Sequence, residues 1–196
     1  MRWLKRRNLE KAASPGQVAR PAELPTARLR LRPLQVEDAD ALHALWTAPA
    51  LRHFLWDDHV LSLEQTRDQV IQSQYLFEQR GFGFWAAFDS EQVLVGFCGY
   101  GFFRNDHELE LLYGVHADHW LRGYGREIAE AMVGYGFDVL QLSEIRASVD
   151  IPNRASQRVL ERLGFLVDAV RSSGADKRHY RLPRERREAG AGWEAA

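Results

Sequence analysis

Residues 120–137, WLRGYGREIAEAMVGYGF, constrain the fold of this chain more than any other stretch. They follow an apolar run, ELELLYGV, that is typical of a strand, and lead through Gly123 and Gly125 into a helical pattern. Glycines at a helix start let backbone N–H groups face an anion, and the helix N-terminus adds partial positive charge. The alternative is a tight turn with Arg122 and Arg126 as solvated surface. No Lys-Ser or Lys-Thr pair follows the glycines, so this is not a P-loop.

Regular patterns on either side predict the neighbouring elements. ARLRLRPL alternates like a half-buried strand, VEDADALHALW has helical spacing, and GFWAAFD and VLVGFCGYGFF predict two strands joined by a turn. SLEQ from Ser62 fits a capping box that opens a helix closed by Gly81. EIRASVDI predicts a strand with inward residues up to Ile151, and NRASQRVLERLG predicts a helix capped by Asn153 and ended by Gly164. FLVDAV and KRHYRL predict closing strands.

The order of these elements indicates the fold class. A meander of strands followed by two strand–helix units predicts an α/β (α+β) domain with a mixed sheet and helices on both faces. This is not the alternating Rossmann pattern. We expect a basic N-terminal extension at residues 1–25, one domain at residues 26–182 and a C-terminal tail at residues 183–196.

Composition argues against several classes of function. The 196 residues carry a formal net charge of −1, which gives no general attraction to nucleic acid or anionic membrane. No apolar run is long enough to span a bilayer. The single cysteine, Cys98, excludes an internal disulfide, and its apolar surroundings favour a buried structural thiol. We therefore expect a cytoplasmic monomer or homodimer with no metal, no nucleic-acid partner and no membrane partner.

The spaced motifs resemble those of a known family. The pieces ELLYGV, HWLRGYGREIAEAM, IRASVDIPNRAS and VLERLGF resemble, in that order, the GNAT superfamily of acetyl-CoA-dependent N-acetyltransferases. The strongest likeness is to the branch of ribosomal-protein N-terminal acetyltransferases (RimJ/RimL-like), and it covers residues 26–182. It implies the GNAT fold, with a mostly antiparallel central sheet of six or seven strands.

Two positions depart from the superfamily's common pattern. Trp120 stands where many members have Gln or Arg, and this matches the ribosomal branch. Leu160 stands where many members carry the tyrosine that protonates the departing thiolate, so that role falls to another group or to solvent.

The resemblance implies acetyl-CoA as co-substrate and assigns residues to it. The Val115 backbone would hold the pantetheine arm, and the pyrophosphate would be held by the loop of Arg122, Gly123, Tyr124, Gly125 and Arg126. Asn153 would contact the pantetheine, with helix capping alone as the alternative. Ser156, in the first helical turn, would polarise the sulfur.

The amine acceptor must lose a proton to attack the thioester, and Glu110 matches the acidic position of the branch. The alternative is a solvent-facing strand glutamate. By analogy, the acceptor site would lie near Trp56, Asp57 and Trp85, where a carboxylate attracts the amine and aromatic rings form a wall. A polar loop with packing aromatics is the alternative there.

Two functions remain open. The first is an N-acetyltransferase that moves an acetyl group directly from acetyl-CoA to a primary amine, on a protein N-terminus or a small molecule. The second is a catalytically silent acyl-CoA-binding or sensor module.

Overall fold

The computed structural model describes residues 21–55, 58–102, 109–173 and 176–189. The strands are β1 (Leu24–Pro25), β2 (Arg30–Pro33), β3 (Phe84–Phe88), β4 (Leu94–Phe102), β5 (Leu109–Val115), β6 (Glu144–Asp150), β7 (Leu166–Val167) and β8 (Lys177–Pro183). The α-helices are α1 (Ala39–Thr47), α2 (Pro49–Arg52), α3 (Leu63–Arg80), α4 (Tyr124–Gly134), α5 (Arg154–Arg162), α6 (Ala169–Ser172) and α7 (Arg184–Glu188).

The strands form one sheet in the order β1-β2-β3-β4-β5-β6-β8-β7. The pairings are antiparallel except that of β5 with β6, which is parallel. The mixed, mostly antiparallel sheet is therefore confirmed. It has eight strands instead of six or seven, because the two-residue strand β1 adds to the expected set.

Helices cover both faces of the sheet, as side chains of β4 show. Phe97 meets Trp46 of α1 edge to face, with ring centroids 5.5 Å apart. Tyr100, three residues on, points to the other face, because successive strand residues alternate. Its hydroxyl donates to the carbonyl of Met132 in α4 at 2.7 Å. The α1 face and the α4 face are therefore opposite, and the apolar core lies on both sides of β3, β4 and β5.

Local signals set most element ends where the sequence predicts them. Ser62 and Gln65 form the expected capping box, and Gly81 ends α3 with φ 78°. Asn153 caps α5, and Gly164 follows that helix with φ 83°.

Two predictions about strand ends are wrong. Ile151 is exposed instead of inward, because β6 ends at Asp150 and the chain turns there. FLVDAV yields only the short β7, since Asp168 caps the helical turn α6 with its side chain.

Residues assigned from the sequence to the C-terminal tail form α7, and arginines of this helix bind the domain. Arg184 donates from Nη2 to the carbonyl oxygens of Phe137 and Leu142 at 2.7 and 2.9 Å. Arg187 forms a bidentate ion pair with Asp138, in which Nη1 and Nη2 donate to Oδ1 and Oδ2 at 2.7 and 2.9 Å. Through these contacts, α7 stabilises the segment between α4 and β6.

None of the helices in the described parts of the chain combines the length and the apolarity needed to cross a bilayer.

Candidate active site

A cleft opens in the middle of the sheet, between β5 and β6. β5 pairs with β4 over its whole length, and β6 does the same with β8. Between β5 and β6, however, the register of the described residues has a single pair, Glu110 with Arg146. Beyond that pair the strands part, so the space between Val115 and Asp150, at their carboxyl ends, is not closed by backbone hydrogen bonds.

The glycine loop, residues 122–126, follows the carboxyl end of β5 after the short 3-10 turn Ala117–His119 and has unpaired backbone donors. Gly123 has φ 84°, a conformation that favours glycine, and its carbonyl accepts from the N–H groups of Arg126 and Glu127 at 3.1 and 3.2 Å. Within the described residues, the backbone N–H groups of residues 123–125 donate to no protein acceptor. A Cβ on Gly125 would meet the side chains of Tyr113 and Val115 at 3.9 Å, an ordinary van der Waals contact, so the backbone here is not crowded. These features fit an anion cradle at a helix N-terminus.

Trp120 ties this loop to β5. Its indole Nε1 donates to the Val115 carbonyl at 2.8 Å, while almost half of its surface remains exposed. The Val115 carbonyl, expected to serve the pantetheine, thus keeps one lone pair for a further donor.

The start of α5 brings Ser156 to β5. Asn153 Oδ1 accepts from the Ser156 N–H at 3.1 Å, which is the predicted cap. The Ser156 hydroxyl lies 2.8 Å from the hydroxyl of Tyr113, which also donates to the Ser156 carbonyl at 3.3 Å. Burial raises the pKa of Tyr113 above its usual value, so this phenol stays protonated at neutral pH. Leu160 is fully buried and packs in the core.

The turn that holds Asn153 is fixed by Gln157, which sequence reasoning missed. This buried side chain donates from Nε2 to the carbonyl oxygens of Asp150 and Ile151 at 3.3 and 2.7 Å. Its Oε1 accepts from Arg154 at 3.1 Å. A glutamine on a helix carries no sequence signal for such a role, because its partners come from the preceding turn.

Glu110 is 9% exposed, so the solvent-facing alternative is wrong. It pairs with Gly101, and residues directly opposite in an antiparallel pair share a face. That face is the α1 face, because Phe97 and Gly101 are an even number of residues apart. Glu110 therefore lies at the closed end of the cleft, and Tyr113 points to the α4 face.

Of the three residues predicted to bind the acceptor, Trp85 is the one that lies within the described parts of the chain. Trp85 is fully buried, with its ring 5.3 Å from that of Phe77 and 5.2 Å from that of Tyr135. It pairs with Cys98, which places it on the α4 face and away from Glu110. This geometry favours the packing alternative for Trp85. Trp56 and Asp57 lie outside the described residues.

The parted sheet and the glycine loop define an acyltransferase of the GNAT type. A family profile described as the acetyltransferase (GNAT) domain matches residues 28–166. The chain therefore belongs to the GNAT acetyltransferase family.

Individual proteins with a similar sequence or fold are also named as acetyltransferases. An uncharacterized N-acetyltransferase of Bacillus subtilis (strain 168), YoaA, is 30% identical over 149 residues, which cover 75% of this chain and 84% of the relative. The crystal structure of an acetyltransferase from Agrobacterium tumefaciens str. C58 has a TM-score of 0.73 at 26% identity, covering 85% of this chain and 96% of that one. RimL, a ribosomal L7/L12 alpha-N-protein acetyltransferase in complex with coenzyme A, has a TM-score of 0.69 at 20% identity, with 82% and 97% covered. Its fold agrees with the resemblance to the ribosomal branch.

Proposed function

We propose that this chain is an acetyl-CoA-dependent N-acetyltransferase that acts on a primary amine by direct transfer. The observation that carries the proposal is the order of groups along the cleft. Glu110 lies at the closed end, Tyr113 with Ser156 follows, then the Val115 backbone, and then the glycine loop. At about 3.3 Å per strand residue, Glu110 and Val115 are about 16 Å apart. This order matches the acetyl group, sulfur, pantetheine arm and pyrophosphate of acetyl-CoA.

The residues at the open end of the cleft fit the anionic part of acetyl-CoA. The N–H groups of Gly123, Tyr124 and Gly125 would bind the pyrophosphate, and Arg122 and Arg126 would add positive charge. The Val115 backbone and the Asn153 side chain would hold the pantetheine. The complex of RimL with coenzyme A supports this assignment by likeness of fold.

At the closed end, the chemistry requires a base on one side of the thioester and a hydrogen-bond donor on the other. Glu110 would take a proton from the amine as the nitrogen attacks the acetyl carbonyl. The new C–N bond forms and the C–S bond breaks, so charge develops on the sulfur. The Ser156 hydroxyl, held by Tyr113, would donate to that sulfur. Acetyl transfer is then direct, with no acyl-enzyme, because Cys98 is fully buried in the core.

The acceptor amine would reach Glu110 from the α1 face of the sheet. Glu110 faces the side of the sheet on which α1 lies, and the segment with Trp56 and Asp57 leads from α2 to α3. We propose that an amine enters from this side, with Asp57 attracting its positive charge. Trp85 would act only through the packing of the core.

A thiol-release assay tests the function. With acetyl-CoA and a panel of N-terminal peptides, aminoglycosides, polyamines and free amino acids, we expect release with at least one amine. Calorimetry without an acceptor should show that acetyl-CoA binds. Binding with no release for any amine would support the silent sensor, and absence of binding would overturn both functions.

A further inference from the structure

Arg28, just before β2, makes a set of contacts with the glycine loop. Its Nη1 donates to the carbonyl oxygen of Arg122 at 2.8 Å. Its Nε and Nη2 lie 2.8 and 2.7 Å from Oε2 of Glu127, in the first turn of α4. Its guanidinium also lies 4.8 Å from the ring centre of Tyr124. One side chain thus touches the loop from its start to the helix that follows.

The backbone around Arg28 is bound to the same carboxylate. Oε1 of Glu127 accepts from the Arg28 N–H at 2.7 Å and from the Thr26 hydroxyl at 2.5 Å. Thr26 is itself fixed by Leu29, because its hydroxyl accepts from the Leu29 N–H at 2.9 Å and its own N–H donates to the Leu29 carbonyl at 2.8 Å. Both the backbone and the guanidinium of Arg28 are therefore held by hydrogen bonds, although the side chain is 49% exposed.

The bond to Arg122 sets the direction of the next N–H group. The carbonyl of Arg122 and the N–H of Gly123 belong to one planar trans peptide, so they point in opposite directions. Because Arg28 holds the carbonyl, the N–H of Gly123 is turned away from Arg28.

The ion pair of Arg28 with Glu127 offsets the repulsion between the Glu127 carboxylate and a phosphate bound at the loop. A carboxylate in the first turn of α4 would repel a phosphate bound at the same helix N-terminus. Burial alone would raise the pKa of Glu127, but the hydrogen bonds from Thr26 and Arg28 outweigh it and lower the pKa. Glu127 is thus ionised at neutral pH, and Arg28 supplies the opposing charge.

We propose that Arg28 is the positioning residue of the phosphate-binding loop: it orients the Arg122–Gly123 peptide toward the anion and neutralises Glu127. This rests on the proposed function, in which the loop binds the pyrophosphate of acetyl-CoA. Arg28 acts through the loop and is not required to touch the co-substrate.

Kinetics of Arg28→Lys with two acetyl donors tests this role. Lysine keeps the charge but cannot bridge Arg122 and Glu127 with a planar fork. We expect the KM for acetyl-CoA to rise on the order of tenfold, with kcat within about twofold of the wild type. The KM for S-acetyl-pantetheine, which has no pyrophosphate, should not change. Equal kinetics for Arg28→Lys and wild type with acetyl-CoA would overturn the proposal, as would equal losses with both donors.

The matched control is Arg30→Lys. Arg30 lies two residues on, pairs with Glu23 at 2.8 Å and donates to Gln92, and does not touch the loop. It should keep the wild-type KM for both donors.

A second readout uses the protein without acetyl-CoA. The amides of Arg126 and Glu127 donate to the Gly123 carbonyl, so their hydrogen exchange should be faster in Arg28→Lys and unchanged in Arg30→Lys. Unchanged exchange in Arg28→Lys would contradict the positioning role. If the wild type neither binds acetyl-CoA nor releases thiol, the proposed function fails, whereas an active wild type matched by Arg28→Lys refutes only this inference.

Discussion

At the scale of single residues, the sheet register separates two groups that are neighbours in sequence. Glu110 and Tyr113 are three positions apart on β5, so they point to opposite faces. The glutamate lies on the α1 face and the tyrosine meets Ser156 on the α4 face. In the proposed function, this places the base on one face of the strand and the hydrogen-bond donor to the sulfur on the other.

Glu110→Gln should lower kcat on the order of a hundredfold, because the amide cannot accept the amine's proton. Calorimetry should show unchanged affinity for acetyl-CoA. Glu91→Gln, in the turn between β3 and β4, is the matched control and should keep both properties. Wild-type turnover in Glu110→Gln would exclude this residue as the base.

Tyr113→Phe should lower kcat about tenfold, since the Ser156 hydroxyl loses its partner. If the two hydroxyls act together, the variant Tyr113→Phe/Ser156→Ala should lose less than the combined effects of the single changes. Steady-state kinetics of the double-mutant cycle measures this. Tyr180→Phe, which removes a hydroxyl that donates to Glu161 at 3.1 Å, is the control. Strict additivity would show that the pair does not function as a unit.

At the scale of elements, the loop before α4 depends on space as well as on charge. Gly125 and Gly134 both lie in α4, and a Cβ on either would meet its nearest atom at 3.9 Å. The two positions therefore tolerate alanine equally well in the fold, but only Gly125 lies at the end that would receive a phosphate.

Gly125→Ala should weaken acetyl-CoA binding while Gly134→Ala does not, because only Gly125 lies at the end of α4 that would receive the phosphate. Both changes should leave the melting temperature equal or higher, since alanine is favoured over glycine inside a helix. Calorimetry and thermal unfolding on the two variants give the comparison. Equal affinities would remove the loop from the binding site.

How much of this could be predicted from the sequence differs between elements. Caps and glycine stops are local, so Ser62, Gly81 and Asn153 acted as expected. The partners of Ser156 and Arg122 come from distant strands, and no periodicity shows that Tyr113 or Arg28 reaches them. For Trp85, the sequence indicated a position near the end of a strand but not the face of the sheet to which the side chain points.

At the scale of the whole molecule, α7 has a role in stability that its charged sequence did not indicate. Arg184 binds the carbonyl oxygen of Phe137, inside the π-helical turn Tyr135–Val139, and that of Leu142, in the loop that follows. The guanidinium also lies 5.3 Å from the ring centre of Phe137.

Arg184→Met should lower the free energy of unfolding by about 1–3 kcal/mol, because it leaves these carbonyls without their charged donor. For a chain of this size, that corresponds to a lower melting temperature by roughly 2–12 °C. Denaturant and thermal unfolding measure it. Arg67→Met, which removes an exposed pair with Asp40 at 3.4 Å, is the control and should change little. Equal stabilities of the two variants would contradict this role of α7.

The parting of β5 from β6 has a consequence for how the protein unfolds. β5 pairs with β4 over its whole length and β6 does so with β8, so the seam between the strands β1–β5 and the strands β6–β8 carries fewer backbone hydrogen bonds than the sheet on either side of it. Separating the two groups of strands along this seam breaks fewer backbone hydrogen bonds than unfolding either group. Partial unfolding of proteins tends to follow such boundaries. A ligand that contacts Val115 on one group and Asn153 on the other would join them. In the proposed function, bound acetyl-CoA would therefore also couple the unfolding of these two groups of strands.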